Sequence, residues 1–216
     1  QYGGQGAPLV PIGDRLLFSD FYACVNLGGF ANISFERRDQ RIAYDICPVN
    51  VVLNHFSQKL GFEYDAEGIL SSQGTIQQEV LHELNQLKYY AETPPKSLGI
   101  EWAHEFVFPV ISKIENIHDA LRTYSEHIAF QIARNTKEYQ NVLFTGGGVF
   151  NSFLMNRIQD LSSSQMVIPD KTTIDYKEAL IFALLGLLKL ENKVNCLSSV
   201  TGAKMDHSSG KIFTPN

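Results

Sequence analysis

Three segments typical of β-strands follow one another near the start of the chain, at residues 22–27, 30–35 and 41–46. Gly28 and Gly29 separate the first two segments, and glycine adopts the positive φ angles that a tight hairpin turn needs. Connections this short join antiparallel strands, because parallel strands need a crossover of about a dozen residues or more. The segments therefore predict an antiparallel meander and exclude a βαβ unit in this part of the chain.

The rest of the chain carries helical and strand patterns in alternation. Apolar residues at helical spacing predict helices over 49–60, 76–90, 117–135, 150–161 and 174–190. Thr75 is predicted to cap the second of these helices, with Gln78 as its capping-box partner. Short apolar runs at 141–145 and 166–168 predict two more strands. This order predicts an α/β fold, a mixed sheet with flanking helices.

Composition excludes several classes of function. The net charge is −5 and no basic run is present, so nucleic acid is not an expected partner. The most apolar stretch, 179–188, is about half the length that crosses a bilayer, so we expect a buried helix there and no membrane partner. Cys24, Cys47 and Cys196 form no C-x-x-C pair, which favours a reducing, cytoplasmic setting.

Two glycine-rich turns are candidates for phosphate binding. The first holds Gly28 and Gly29 at a hairpin tip between Asn26 and Asn32, where backbone N–H groups approach an anion because no Cβ intervenes. A plain structural hairpin is the alternative. The second, the glycine run 146–148, follows a buried strand and opens a helix, which points amide donors at a nucleotide. Neither turn matches a dinucleotide-binding or P-loop motif.

Three further segments carry polar side chains suited to chemistry. Asp45 ends the third predicted strand, where a carboxylate holds a Mg²⁺-bound water or simply caps the helix that follows. Asp175 and Glu178 open the last helix, although acidic residues in a first turn are also stabilising by helix electrostatics alone. Residues 96–102 place a cation, a hydroxyl, a carboxylate and a tryptophan together, which suits a sugar site or an ordinary loop.

Taken in order, these segments resemble the anhydro-N-acetylmuramic acid kinase family. The similarities are GGQGAPLVP at 3–11, NLGGFAN at 26–32, the family's KSTGRE segment at 96–101, its GGGAxNxxLMxRL segment at 146–157, DxxEAxxFA at 175–183 and VTGA at 200–203. Each segment alone is weakly specific, whereas the ordered set is highly specific. It argues against another sugar kinase or a chaperone of the same superfamily, because those share the glycine turns without the GGQGAPLVP string.

The resemblance implies an actin-like ATPase (ribonuclease H-like) fold of two lobes, with ATP and Mg²⁺ in the cleft. Residues 1–14 would be an entry segment, 15–203 the nucleotide-binding second lobe and 204–216 a tail, with the first lobe largely missing. The implied reaction adds water across the 1,6-anhydro bond of anhydro-N-acetylmuramic acid and phosphorylates O6, giving N-acetylmuramic acid 6-phosphate in cytoplasmic peptidoglycan recycling. A homodimer is also implied.

Spacing and resemblance together give the candidate residues. They are Glu178 and Asp45 for catalysis; Asp45 and Asp175 for the metal; Asn26, Gly28, Gly29, Asn32, Gly146, Gly147, Gly148 and Asn151 for ATP and phosphate; and Gly3, Gly4, Gln5, Lys96, Ser97 and Glu101 for the sugar. Two departures from the family pattern stand out. Cys47 and Val49 replace glycines of its FDTGPGN segment, and Leu98 and Ile100 replace Thr and Arg of KSTGRE.

One family residue has no counterpart in the chain. The family's catalytic Asp lies a few residues before GGQGAPLVP, whereas Gly3 is preceded only by Gln1 and Tyr2. We therefore expect the 216 residues alone to bind nucleotide weakly without turnover. The alternative from another class of function is a non-catalytic ATP-binding or interaction module derived from the kinase fold.

Overall fold

The computed structural model describes residues 2–4 and 8–213. Its sheet has five strands in the order β3-β2-β1-β4-β5. The strands are β1 Ala23–Leu27, β2 Phe30–Arg37, β3 Gln40–Pro48, β4 Asn141–Thr145 and β5 Gln165–Val167. The first three pair antiparallel, whereas β4 pairs parallel with β1 and with β5. The predicted meander and the mixed α/β sheet with flanking helices are thus confirmed.

Ten α-helices occur in the described residues. They are α1 Val10–Leu17, α2 Asn50–Lys59, α3 Ile69–Ser72, α4 Gln78–Asn85, α5 Ile100–Trp102, α6 Phe108–Ile111, α7 Ile117–Thr136, α8 Ser152–Leu161, α9 Lys171–Leu190 and α10 Ser198–Thr201. Short 3₁₀ turns lie at Ala66–Gly68, Lys88–Ala91 and Gly147–Phe150, and a π-helical turn at Ala103–Val107. None of the helices described has the length and apolar character that a membrane crossing requires.

The two faces of the sheet carry different side chains, because successive residues of a strand point to opposite faces. On β1, Ala23, Val25 and Leu27 belong to the large apolar core, which also includes α2, α7 and α8. Of the predicted apolar stripe of α7, Leu121, Tyr124, Ile128 and Ile132 are fully buried in that core, whereas Ile117 is half-buried against it. The opposite face is polar toward one end of the sheet and is partly covered by α1, α9 and α10, which form a second, smaller core.

The predicted helix over 76–90 is wrong in its bounds. Helix α4 starts at Gln78 and ends at Asn85, and Thr75 does not cap it. The Thr75 N–H donates instead to Asp119 Oδ1 at 2.7 Å, and the Gln77 N–H donates to Thr123 Oγ1 at 3.0 Å. These bonds to α7 hold the preceding residues in an extended path, so tertiary contacts override the local capping pattern.

Two other differences concern α1 and α9. The segment predicted as a loop up to residue 11 already enters α1 at Val10, with proline in its first turn, where the missing N–H costs nothing. The apolar stretch 179–188 is helical as predicted, but it is not buried all round. Ile181 and Leu185 are buried, whereas Leu180 and Phe182 are each 51% exposed.

Candidate active site

A cavity of about 890 Å³ lies on the polar face of the sheet. It opens where β1 and β4 end, which is the edge at which parallel strands of α/β proteins usually bind ligands. The alternation along the strands explains its lining: Asn26 on β1, Asn32 on β2 and Thr145 on β4 point away from the apolar core. The N-terminal part of α9 and the start of α1 close the other side.

Most of the predicted candidates lie in this cavity. They are Gly4, Asn26, Gly28, Asn32, Asp45, Lys96, Ser97, Gly146, Gly147, Asp175 and Glu178. Every segment that the sequence singled out contributes at least one residue, although the segments are far apart in the chain. Their individual contacts with ATP, Mg²⁺ or sugar stay predictions.

The other candidates lie elsewhere. The Asn151 side chain caps α8 by accepting a hydrogen bond from the Leu154 N–H at 2.9 Å, and Gly148 packs its backbone against Leu27. The Gly29 carbonyl accepts from the Val49 N–H at 2.8 Å at the start of α2. Gly3, Glu101 and these three residues are not part of the cavity wall. Gln5 lies outside the described residues.

The hairpin side of the cavity is built by cross-strand pairs. Asn26 lies directly opposite Asn32 in the β1–β2 ladder, and Asn32 lies opposite Asp45 in the β2–β3 ladder. The Asp45 carboxylate accepts a hydrogen bond from the Leu98 N–H at 2.8 Å. Burial raises the pKa of Asp45 above its usual value, and this backbone bond opposes the rise. These pairs place one carboxylate and two amides side by side.

In the glycine turn after β4, Gly146 and Gly147 have different surroundings. Gly146 has φ +85°, and a Cβ there would stand 2.7 Å from Asn26 Oδ1 and from the Leu27 carbonyl oxygen. Glycine is therefore required at residue 146 for the backbone to reach β1. At Gly147, by contrast, a Cβ would meet nothing within 4 Å, although the residue lines the cavity. The backbone at Gly147 is thus open to a ligand, as a phosphate cradle requires.

Lys96 is held in an aromatic corner of the cavity. Its ammonium lies 4.4 Å from the centre of the Tyr89 ring and 5.5 Å from that of Tyr44, and it donates to the Tyr89 carbonyl oxygen at 3.1 Å. Burial lowers the pKa of Lys96. The sequence offered no signal for this arrangement, because Tyr44, Tyr89 and Lys96 come from three separate segments of the chain.

Charged groups around the cavity are mainly acidic. Four carboxylates line it, Asp14, Asp45, Asp175 and Glu178, against the two ammonium groups of Lys96 and Lys177. Asp14 pairs with Lys177, and Asp175 pairs with Lys171. Among residues 2–4 and 8–213, no three His, Cys, Asp or Glu side chains are grouped as a ready metal site. A polyphosphate bound in this cavity would therefore need a cation with it. Mg²⁺ suits that role, because it needs few protein ligands when it also binds phosphate oxygens.

Comparison with known proteins decides the family. The sequence profile described as "Anhydro-N-acetylmuramic acid kinase" matches residues 1–215. The chain belongs to the anhydro-N-acetylmuramic acid kinase family. It is 33% identical to the kinase of this name from Clostridioides difficile (strain 630), over 94% of the chain and 58% of that relative. With the Gloeobacter violaceus kinase it shares 34% identity, over 93% of the chain and 58% of the relative.

The chain spans about three fifths of the length of these family members, 58% for the two above and 60% for the kinase of Francisella tularensis subsp. novicida. Among solved structures, the activator of the 2-hydroxyisocaproyl-CoA dehydratase from Clostridium difficile with bound ADPNP is similar at a TM-score of 0.45 and 15% identity, over 75% of the chain and 59% of the activator.

The structure locates the chain's departures from the anhydro-N-acetylmuramic acid kinase pattern. Cys47 and Val49, which replace two glycines, are fully buried in the large apolar core and do not line the cavity. Burial raises the pKa of the Cys47 thiol far above its usual value, so the side chain behaves as an apolar group. The replacements therefore leave the cavity wall next to Asp45 unobstructed.

Sequence reasoning missed several residues of the wall. Asp14, Thr145 and Lys177 all line the cavity, as does the aromatic ring of Phe150. Lys177 lies inside the DxxEA segment, whereas Asp14 lies three residues beyond the GGQGAPLVP string. No sequence pattern marks Asp14 or Lys177, because the two residues and Thr145 meet only when α1, β4 and α9 pack together.

Proposed function

We propose that the protein is an ATP-dependent kinase acting on anhydro-N-acetylmuramic acid. One observation carries the proposal. In a chain of this family, the open glycine turns and the carboxylates of separate segments converge on a single cavity at the carboxyl edge of the sheet. Phosphoryl transfer depends mainly on positioning and charge stabilisation, and such a cavity supplies both.

The nucleotide is proposed to bind at the glycine turns. The backbone at Gly28 and Gly147 is accessible from the cavity, and Asn26 and Asn32 offer side-chain amides beside it. Asp45 and Asp175 are the residues that would hold Mg²⁺, together with phosphate oxygens. Mg²⁺ would neutralise the charge that the polyphosphate brings into an acidic cavity.

The ring opening of the sugar is assigned to the carboxylate of Glu178. Water adds its oxygen to C1, the bond between C1 and the bridging oxygen breaks, and that oxygen remains on C6 and takes the γ-phosphoryl group, which releases ADP. The proton that water loses needs a base, and Glu178 lines the cavity without an ion pair among the described residues. Lys96 and Ser97 lie on the wall next to Asp45, where they would orient the sugar.

The test is an assay of the intact polypeptide, expressed with whatever its gene encodes before Gln1. The protein is incubated with ATP, Mg²⁺ and anhydro-N-acetylmuramic acid, and the product is identified by mass spectrometry as the sugar plus one water and one phosphoryl group. Glu178→Gln should abolish turnover. Glu191→Gln, at the far end of the same helix, is the matched control and should remain active.

The assay also separates this proposal from its alternative. Binding of ATP without any phosphorylated sugar would favour the non-catalytic ATP-binding module. Absence of both would sink the proposal. A cytoplasmic location and a homodimer belong to the same proposal. The buried thiols of Cys24, Cys47 and Cys196, none of them paired, support the former, and cell fractionation and analytical ultracentrifugation test the two points.

A further inference from the structure

A buried lysine connects α9 to the glycine turn. The Lys177 ammonium lies 2.7 Å from Asp14 Oδ1 and 3.3 Å from the Thr145 hydroxyl, to which it donates. Lys177 is 6% exposed and Asp14 is 4% exposed. Charges so deeply buried persist only when they are paired, and removing one partner leaves the other uncompensated. The pair is therefore a fixed part of the fold.

Asp14 is itself held on its other side. Its Oδ2 accepts a hydrogen bond of 2.5 Å from the Ser34 hydroxyl, and Arg41 donates to that hydroxyl at 2.7 Å. Arg41 is 2% exposed, and its guanidinium lies 3.9 Å from the same carboxylate. Residues of β2 and β3 thus hold the Asp14 carboxylate on one side, and Lys177 of α9 contacts it on the other. Asp14 is an anchor rather than a mobile partner.

The position of Lys177 within α9 is the decisive observation. Between residues 171 and 180 it is the only buried side chain, and the fully buried apolar residues of the helix begin at Ile181. Asp175 and Glu178, which line the cavity, lie in this same stretch. The apolar contact of this stretch with the core comes from Ile174, which is only half-buried. Lys177 makes the deepest contact of this turn with the sheet.

The other end of the contact lies at the glycine turn. Thr145 is fully inside the wall and directly precedes Gly146 and Gly147. The Lys177 ammonium therefore fixes the distance between the Glu178 carboxylate and the open backbone of the turn. Misplacing reacting groups by about 1 Å can cost on the order of 100-fold in rate, so this distance matters for catalysis.

We propose that Lys177 is a positioning residue, which sets the Glu178-bearing turn of α9 against the Gly146–Gly147 turn through its contacts with Asp14 and Thr145. The inference rests on the proposed kinase function, because Glu178 is proposed to act there as the base. Its structural content, a turn of α9 whose deepest contact with the sheet is made by Lys177, stands independently of that function.

The first measurement is therefore independent of activity. Hydrogen–deuterium exchange is followed in the intact protein for Lys177→Met and for Lys189→Met, a control near the other end of α9. In Lys177→Met, amides of 171–180 and 146–149 should exchange faster, while those of 117–136 stay unchanged. Lys189→Met should leave both cavity segments unchanged. Unaltered exchange at 171–180 in Lys177→Met would overturn the inference.

The second measurement separates positioning from stability. Lys177→Met should lower kcat on the order of 100-fold with little change in the KM for ATP. The double variant Asp14→Asn with Lys177→Met removes both charges of the pair, and Arg41 keeps Glu36 at 3.8 Å, so its melting temperature should recover toward that of the wild type. Its kcat should remain low. Recovery of kcat together with stability would mean that the lysine is merely structural.

If Lys177→Met fails to fold, Thr145→Val removes only the hydroxyl contact, and it should speed exchange at 146–149 while the Asp14 pair stays intact. Unchanged exchange there would contradict the inference. If the wild type phosphorylates no sugar, the proposed function fails, and the exchange experiment still decides whether Lys177 holds the turn.

Discussion

Acidification is expected to destabilise the fold through His127. This residue of α7 is fully buried, with Nδ1 2.8 Å from Asn85 Oδ1 and Nε2 3.0 Å from the Tyr90 hydroxyl. The Asn85 oxygen also accepts from Gln131 Nε2, so it takes the proton of His127 Nδ1, and Nε2 accepts from Tyr90. Both ring nitrogens are satisfied in the neutral form. A second proton on Nε2 would displace the hydroxyl proton of Tyr90 from its acceptor.

The size of the effect follows from the pKa. Burial lowers the pKa of His127 from 6.5 to about 3. Below pH 6.5 the unfolded chain therefore binds a proton that the folded protein does not, and the free energy of unfolding decreases as the pH falls toward 3. Between pH 7 and pH 4.5 this single group should remove about 2.5 kcal/mol, because one pKa unit corresponds to about 1.4 kcal/mol.

Urea unfolding at the two pH values measures this loss. Trp102, the only tryptophan of the sequence, packs edge-on against Tyr90 and reports on the same region by fluorescence. His127→Gln keeps a polar side chain but cannot titrate, so its loss between pH 7 and pH 4.5 should be smaller than that of the wild type by about 2.5 kcal/mol. His104→Gln removes an exposed histidine and serves as control. Identical pH dependence in His127→Gln and wild type would refute the reasoning.

Three further substitutions test the packing around the cavity. Gly146→Ala should cost more than about 1 kcal/mol, because its φ is positive and its Cβ would collide with β1, whereas Gly147→Ala should leave the melting temperature unchanged; equal melting temperatures would contradict the assignment. Asn151→Ala should cost about 1 kcal/mol in urea unfolding by removing the cap of α8, and Asn151→Asp should recover most of it. Arg157→Met removes the two bonds to Glu126 that join α8 to α7, and a double-mutant cycle with Glu126→Gln should give a coupling of about 1 kcal/mol; no coupling would refute this.

The architecture was predictable because its signals are local. Gly28 and Gly29 mark a hairpin between two apolar segments, although neither adopts the predicted positive φ. The strand 141–145 was predicted with the bounds that β4 has. Two cavity residues on the strands, Asn26 and Asn32, were predictable for the same reason, since they flank the two glycines of a recognisable segment. Periodicity and turn chemistry decide such features within a few residues.

Features that depend on tertiary contacts were not predictable. The Thr75 capping pattern gave way to a hydrogen bond that the Thr75 N–H donates to Asp119, a residue of another helix. Lys177 looked like any lysine in a helix, because a buried pair with Asp14 becomes visible only once α1 and α9 lie side by side. Asn151 drew attention as a nucleotide ligand, yet its side chain caps α8. A residue type and its spacing do not reveal which neighbour satisfies it.

The pairing of β1 with β4 has a consequence for the order of folding. Ala23 lies beside Val142, so this ladder closes a loop of more than a hundred residues, whereas the β1–β2–β3 meander joins near neighbours in the chain. Local contacts form first, and distant pairings follow after a larger loss of chain entropy. Asn26 on β1 and Thr145 on β4 lie opposite each other in this ladder, and both line the cavity. A growing polypeptide therefore has no complete cavity until β4 and α9 have emerged and docked.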